Sequence, residues 1–358
     1  MIEDQKTASP RVVSLIAILL VALLVLFSVQ SPDRVGSQAA AALPLRLSPS
    51  PTLAAEAYLV RLTPRFFRAA EAPSDEINPH TFPQGILEGV GIKTAANQAG
   101  YEGDNSQRQN RSVAGQGAQL PDRMILFSQR AAKRLAPASL TKLMTAAVAA
   151  EYLAPDEIIV FSDEAKAVEK RLSSAPAGEV FLRDEAVRLA LISSANDAAL
   201  ALADAVGRRL GRVSYRDRIE LFVQLMNRTA SRWGLANTRF RSPTGLDLAD
   251  QYTSAEDLSQ MAIRLLAHHP ELWEMTRQYT ETVFSWQRRQ YPIQNTNELL
   301  TEFPALSGGK TGFTDEAGGA LLLLYPVEPD QVAIIVILKS DDRFGDGRKI
   351  IKWLEDNF

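Results

Sequence analysis

The end of the chain narrows its possible folds more than any other stretch. Residues 319–325 and 331–339 are two apolar β-like runs joined by a turn at 326–330, and residues 343–358 follow as a helix that packs Ile350, Ile351 and Leu354. Apolar runs of this length between turn residues read as strands. In the middle of the chain the period is helical. Residues 183–192 place Ala186, Leu189, Leu191 and Ile192 at helical spacing behind Asp184 and Glu185, an acidic first turn. The chain breaks at Ser193-Ser194-Ala195-Asn196 and a second helix runs over 197–206. A further amphipathic helix covers 215–233 with Gly234 suited to its C-terminal cap. Thr253-Ser254-Ala255-Glu256 is a capping box opening a helix to 267. Short β-like runs stand at 86–96, 124–128, 157–161 and 179–182. There is no internal repeat.

At 358 residues with 46% hydrophobic content, the chain can bury a sizeable core. A formal net charge of −3 gives no reason to expect a nucleic-acid partner. The absence of cysteine excludes disulfides, thiolate metal sites and cysteine nucleophiles. The histidines are His80, His268 and His269, and none sits in a metal-ligand spacing or beside a triad partner, so no metal or cofactor is expected.

Ahead of these elements, residues 1–11 form a short tail and 12–29 an apolar run relieved only by Ser14 and Ser28. That is just enough to cross a bilayer and long for a signal-peptide core. An uncleaved transmembrane anchor over 12–30 is favoured over a cleaved signal peptide. Lys6 and Arg11 before the span and Arg34 and Arg46 after it leave its orientation nearly undecided. Residues 31–85, rich in Pro, Ser and Ala, read as a flexible tether, with 58–68 a short solvated helix or a segment lying on a membrane surface. Folded structure is expected over 86–358, interrupted at about 97–122 by a disordered, Gly- and Asn-rich insertion.

Chemistry concentrates in three places. In Pro137-Ala138-Ser139-Leu140-Thr141-Lys142, proline ahead of good helix formers marks a helix start. Ser139 and Lys142 then share a helix face. A serine hydroxyl needs a neighbouring base to act as nucleophile, and an amine made less basic by burial or by a second cation can be that base. The helix N-terminus adds N–H groups where an oxyanion would form. Ser-x-x-Lys recurs at Ser307-Gly308-Gly309-Lys310, where the glycines argue against a helix. Ser194-Ala195-Asn196 and Lys310-Thr311-Gly312 complete the set. Taken singly, Ser194 and Asn196 could cap helices and Lys310-Thr311-Gly312 could be a solvated turn. A phosphate loop is rejected because Pro304 stands where its first glycine is required.

With Ser193-Ser194-Ala195-Asn196-Asp197-Ala198-Ala199, Pro243-Thr244-Gly245-Leu246 and Gly309-Lys310-Thr311-Gly312-Phe313-Thr314-Asp315, the chain from about residue 86 onward resembles the serine D-alanyl-D-alanine carboxypeptidases, the low-molecular-mass penicillin-binding proteins. The resemblance implies an α+β fold, β-lactamase/transpeptidase-like, with an antiparallel sheet flanked by helices, an all-helical lobe and the active site between them. It implies a peptidoglycan stem peptide ending in D-Ala-D-Ala as substrate and β-lactams as covalent inhibitors. Ser139 would carry the acyl group, Lys142 would be the base, and Ser194 and Asn196 would serve proton transfer and positioning. Lys310, Thr311 and Gly312 would receive the substrate carboxylate and backbone. The N–H groups of Ser139 and Phe313 would form the oxyanion hole. A catalytic domain on the extracytoplasmic side of the cell membrane, held by one span, follows from such a substrate.

A class A β-lactamase would need a Glu-x-x-Leu-Asn setting between the second and third motifs. None of the glutamates from Glu220 to Glu302 stands in one, so slow release of β-lactams is expected. A DD-endopeptidase cutting cross-links with the same residues is a closer alternative. The chain ends soon after the catalytic fold, without room for the extra β domain and amphipathic anchor of many family members, which keeps that alternative open. An inactive wall-binding scaffold is disfavoured because Ser139, Lys142, Ser194, Asn196 and Lys310 are all present.

Overall fold

The computed structural model describes residues 48–64, 125–169, 173–329 and 331–358. Along the chain come β1 (Ala57–Pro64), β2 (Ile125–Gln129), a 3-10 turn (Ala138–Leu140), α1 (Thr141–Tyr152), β3 (Ile158–Val160), α2 (Asp163–Lys166), β4 (Val180–Leu182), α3 (Arg183–Leu191) and α4 (Asn196–Arg209). There follow α5 (Tyr215–Arg232), α6 (Ala255–His268), α7 (Pro270–Met275), β5 (Thr280–Phe284), β6 (Gln290–Gln294) and α8 (Leu299–Glu302). The chain closes with β7 (Gly308–Thr314), β8 (Gly318–Glu328), β9 (Gln331–Ser340) and α9 (Arg343–Asn357).

Residues 320–325 of β8 are buried without interruption, as are 332–338 of β9. A strand reads this way when both faces of its sheet are covered. Leu322, Leu324, Ile334, Val336 and Leu338 join the core that contains the helices. Leu321 and Leu323 point the other way, toward α9, where an added Cβ on Gly347 would stand 2.9 Å from each of the nearer two leucine methyls, those of Leu299 and Leu321. Each such leucine or isoleucine contributes about 1.5–3 kcal/mol by leaving water. The five-stranded antiparallel sheet runs in the order β2-β1-β9-β8-β7, which leaves β7 on an edge. Two small antiparallel pairs, β3-β4 and β5-β6, stand apart from it. α1 packs against α3, α4 and α5 in the helical part.

One segment departs from the expected tether. Residues 57–64 form β1, paired with β9 from Ala57↔Leu338 to Pro64↔Gln331 and with β2 on its other side. The alternation explains it: Ala57 and Leu59 enter the helical core, while Tyr58 reaches Phe127, which stacks edge-on against Trp353 of α9 at 4.9 Å. Its partner lies some 270 residues later, so nothing local announces the strand. The α6 cap also shifts by one: Ser254 accepts from the Asp257 N–H at 3.1 Å.

The tail, the apolar run at 12–29, the run at 86–96 and the insertion at 97–122 lie outside the described residues. Among those described, no helix is long and apolar enough to cross a membrane.

Candidate active site

The first motif is built on strained backbone. Ala138 has φ +47, in the left-handed region a side chain disfavours. The turn it makes delivers Ser139 into the 3-10 turn ahead of α1. One turn on, the Lys142 amine donates to Ser139 Oγ at 2.8 Å and to the Thr244 carbonyl at 2.8 Å. Lys142 is fully buried. Burial above all, and then the Lys310 cation, hold its pKa well below the ordinary 10.5, with Asp197 acting in the opposite sense. A lysine whose amine is disfavoured as a cation in this way is suited to accept a proton from a hydroxyl within its reach.

The second Ser-x-x-Lys behaves differently. Ser307 and Lys310 belong to an extended segment in which Ser307 N donates to the Leu324 carbonyl and Lys310 pairs with Leu322. Three residues along a strand point to opposite faces. Lys310 instead donates to Ser194 Oγ at 2.9 Å and to the Thr311 carbonyl at 3.0 Å. Burial first, and then the nearby Arg343 cation, bring its pKa down to about 7. Ser194 holds φ +61 at the break between α3 and α4. Asn196 donates from its amide to the Glu169 carbonyl at 3.1 Å. Thr311 shares a hydroxyl–hydroxyl hydrogen bond with Thr296. All eight residues expected at the site fall on β7 or on the two helix starts facing it.

Gly312 is where β7 meets the serine turn. A Cβ there would stand 2.9 Å from Ala138 Cβ and 3.0 Å from Ser139 N, so any side chain would push the strand off the nucleophile. Phe313, next along, is 59% exposed and carries the Arg343 guanidinium 5.8 Å from its ring centre.

Three contributors escaped the sequence reading. The loop after α5 carries Pro243-Thr244-Gly245, whose carbonyls receive Thr145 Oγ1 at 2.7 Å and Lys142 Nζ. Gly245, with φ +84, passes so close that a Cβ would sit 1.9 Å from the Ala138 carbonyl. Two residues on, Asp247 accepts from Thr314 Oγ1 at 2.6 Å, so this loop ties α1 to the end of β7. Pro-Thr-Gly stands out in the sequence only through the family resemblance, and its role does not, because a backbone acceptor has no side-chain signature. The second is Asn295-Thr296-Asn297, in which Asn295 and Asn297 are buried and held by bonds such as Asn295 Nδ2 to the Thr276 carbonyl at 2.9 Å. The third is Arg343 at the start of α9. Its Nε is buried with no hydrogen-bond partner among the described residues. A guanidinium with an unused donor, close enough to Lys310 to lower its pKa, is suited to a carboxylate.

A serine hydroxyl 2.8 Å from a buried lysine amine, facing a Lys-Thr-Gly edge strand, is an arrangement able to support acyl transfer. The crystal structure of the Streptomyces K15 DD-transpeptidase superposes with a TM-score of 0.63 at 20% identity, covering 86% of this chain and all of that one. The family model for D-alanyl-D-alanine carboxypeptidase matches residues 119–341, and the chain belongs to that family. The Bacillus subtilis D-alanyl-D-alanine carboxypeptidase DacF is 31% identical over 241 residues, 65% of this chain and 59% of DacF. The Pseudomonas aeruginosa D-alanyl-D-alanine endopeptidase is 31% identical over 238 residues, 64% of this chain and 73% of that protein. The chain thus spans about three fifths of the length of DacF.

Proposed function

We propose that the protein is a serine D-Ala-D-Ala carboxypeptidase that removes the terminal D-Ala from peptidoglycan stem peptides. The observation that carries this reading is the buried Lys142 amine at 2.8 Å from Ser139 Oγ, held from behind by the Thr244 carbonyl. Lys142 takes the Ser139 proton as Oγ bonds to the carbonyl carbon of the penultimate residue. The developing oxyanion is met by the N–H groups of Ser139 and Phe313. The C–N bond to the last D-Ala then breaks, and its nitrogen gains the proton through Ser194, which Lys310 holds. Water releases the acyl group from Ser139 and returns the hydroxyl. Lys310, Thr311 and Arg343 receive the free carboxylate of the substrate, and Asn196 positions the peptide.

The same residues support a DD-endopeptidase that cuts cross-links, a reading favoured by the greater share of the Pseudomonas aeruginosa endopeptidase that the chain spans. Product analysis on a D-Ala-D-Ala pentapeptide beside a cross-linked dimer separates the two. Free D-Ala from the pentapeptide is expected; cleavage of the dimer alone would establish the endopeptidase. Penicillins are expected to acylate Ser139 and leave slowly. Residues 12–29 are the proposed single span, with the catalytic part outside the cytoplasm; partition of the full chain with membranes tests it, and full recovery in the soluble fraction would refute it.

A further inference from the structure

Directly after Asn196 stands Asp197, whose carboxylate is completely buried at the first turn of α4. Lys166 at the end of α2 donates to Asp197 Oδ2 at 2.5 Å, and Ser173 Oγ donates to the same oxygen at 2.5 Å. The Lys166 amine also reaches the Ser173 carbonyl and hydroxyl at 3.2 Å. Both partners of the pair are inside the protein, Lys166 with 8% of its surface exposed. The same stretch supplies the Glu169 carbonyl that takes the Asn196 amide. Two consecutive residues at the head of α4 are therefore gripped by one segment, and one grip is a charge pair.

We propose that Lys166 is a positioning residue for acylation: by neutralising Asp197 it leaves the Lys142 amine free to accept the proton of Ser139. This inference rests on the carboxypeptidase reading of Ser139 and Lys142. Among the described residues, the charges around Lys142 come from four elements. From β7 comes Lys310, itself influenced by Arg343 at the start of α9; from α4 comes Asp197; from α2, behind Asp197, comes Lys166. The Pro243-Thr244-Gly245 loop presents only carbonyls, and Asp247 is turned to Thr314. Within α1, Thr145 is committed to the Pro243 carbonyl. Among the described residues, Asp197 is thus the anion that favours the ammonium form of Lys142. A buried carboxylate stripped of its cation acts more strongly on other charges, because no water screens it. Lys142 would then hold a proton it must be without.

The test is the pH profile of penicillin acylation of the full chain. In Lys166→Met the acid limb is expected to move to higher pH by about one unit or more, the scale of an unbalanced neighbouring charge. The plateau above the limb should remain within about threefold of wild type. Lys166→Arg restores the wild-type limb, and so does Lys166→Met combined with Asp197→Asn. Asp197→Asn alone, which leaves the cation, moves the limb to lower pH, so the inference is decided even if Lys166→Met does not fold. A uniform loss at every pH with an unmoved limb in these variants would show that the pair merely tethers the segment, and overturns the inference alone. Failure of the wild-type chain to be acylated at all overturns the proposed function and this inference with it.

Discussion

Ser139-x-x-Lys142 and Ser307-x-x-Lys310 are the same pattern on two backbones, and they do different things. On the helix start the two side chains meet at 2.8 Å. On the edge strand they separate, and Lys310 finds its serine across the cleft, in Ser194. Spacing carries meaning only through the period of the backbone that bears it. Both lysines are nevertheless buried and driven toward the uncharged form by that burial. What separates them is the acceptor behind each amine. Lys142 is held by the carbonyl of a loop that also packs on the serine turn, and Lys310 by its own neighbour's carbonyl.

The comparison can be broken outright at the helical copy. Ser139→Ala is expected to abolish penicillin acylation, read by gel fluorescence, while the fold survives. Lys142→Met should reduce the acylation rate by about 10²–10⁴-fold, the scale of a lost general base, in stopped-flow or quench measurements. Loss of Lys142 with no change in rate would remove the base from the account.

The strand copy should respond in the pH dependence. Lys310 is a cation that lowers the Lys142 pKa. In Lys310→Met that repulsion is gone, Lys142 binds its proton more readily, and the acid limb of acylation moves to higher pH by on the order of one unit. A limb displaced to lower pH would contradict the sign. Gly245→Ala sharpens the difference behind the amines. Its φ of +84 and the 1.9 Å approach to the Ala138 carbonyl force the serine turn to shift. The backbone term alone costs about 1–2 kcal/mol, and a loss of acylation of tenfold or more is expected with Lys142 untouched. The smallest effect belongs to Ser307→Ala, which should leave both the rate and the thermal midpoint near wild type, within about 0.5 kcal/mol.

Much of this arrangement was legible in the sequence. The three motifs, the helices around them and the β8-β9-α9 ending carry local signals: proline at a helix start, acidic first turns, long apolar runs between turn residues. Two things were not. β1 reads as part of a proline-rich stretch because its eight residues, ending in Pro64, have no meaning until Leu59 and Val60 find β9 far along the chain. Removing the residues before 86 is therefore expected to unpair β9 and β2 and to destroy cooperative unfolding, rather than to trim a tether. The β5-β6 hairpin was missed for a similar reason, since its outward positions, such as Thr280, Thr282 and Phe284, are exposed and only Val283 and Tyr291 are buried. At the site, the Thr244 carbonyl and the close pass of Gly245 are properties of backbone, and residue identity does not encode which amine a carbonyl will meet.

The most direct test is to map the acyl adduct. After brief exposure to benzylpenicillin, digestion and mass spectrometry should place the penicilloyl group on the peptide containing Ser139, and on no other serine. An adduct on Ser194 or Ser307, or one that persists in Ser139→Ala, would contradict the account.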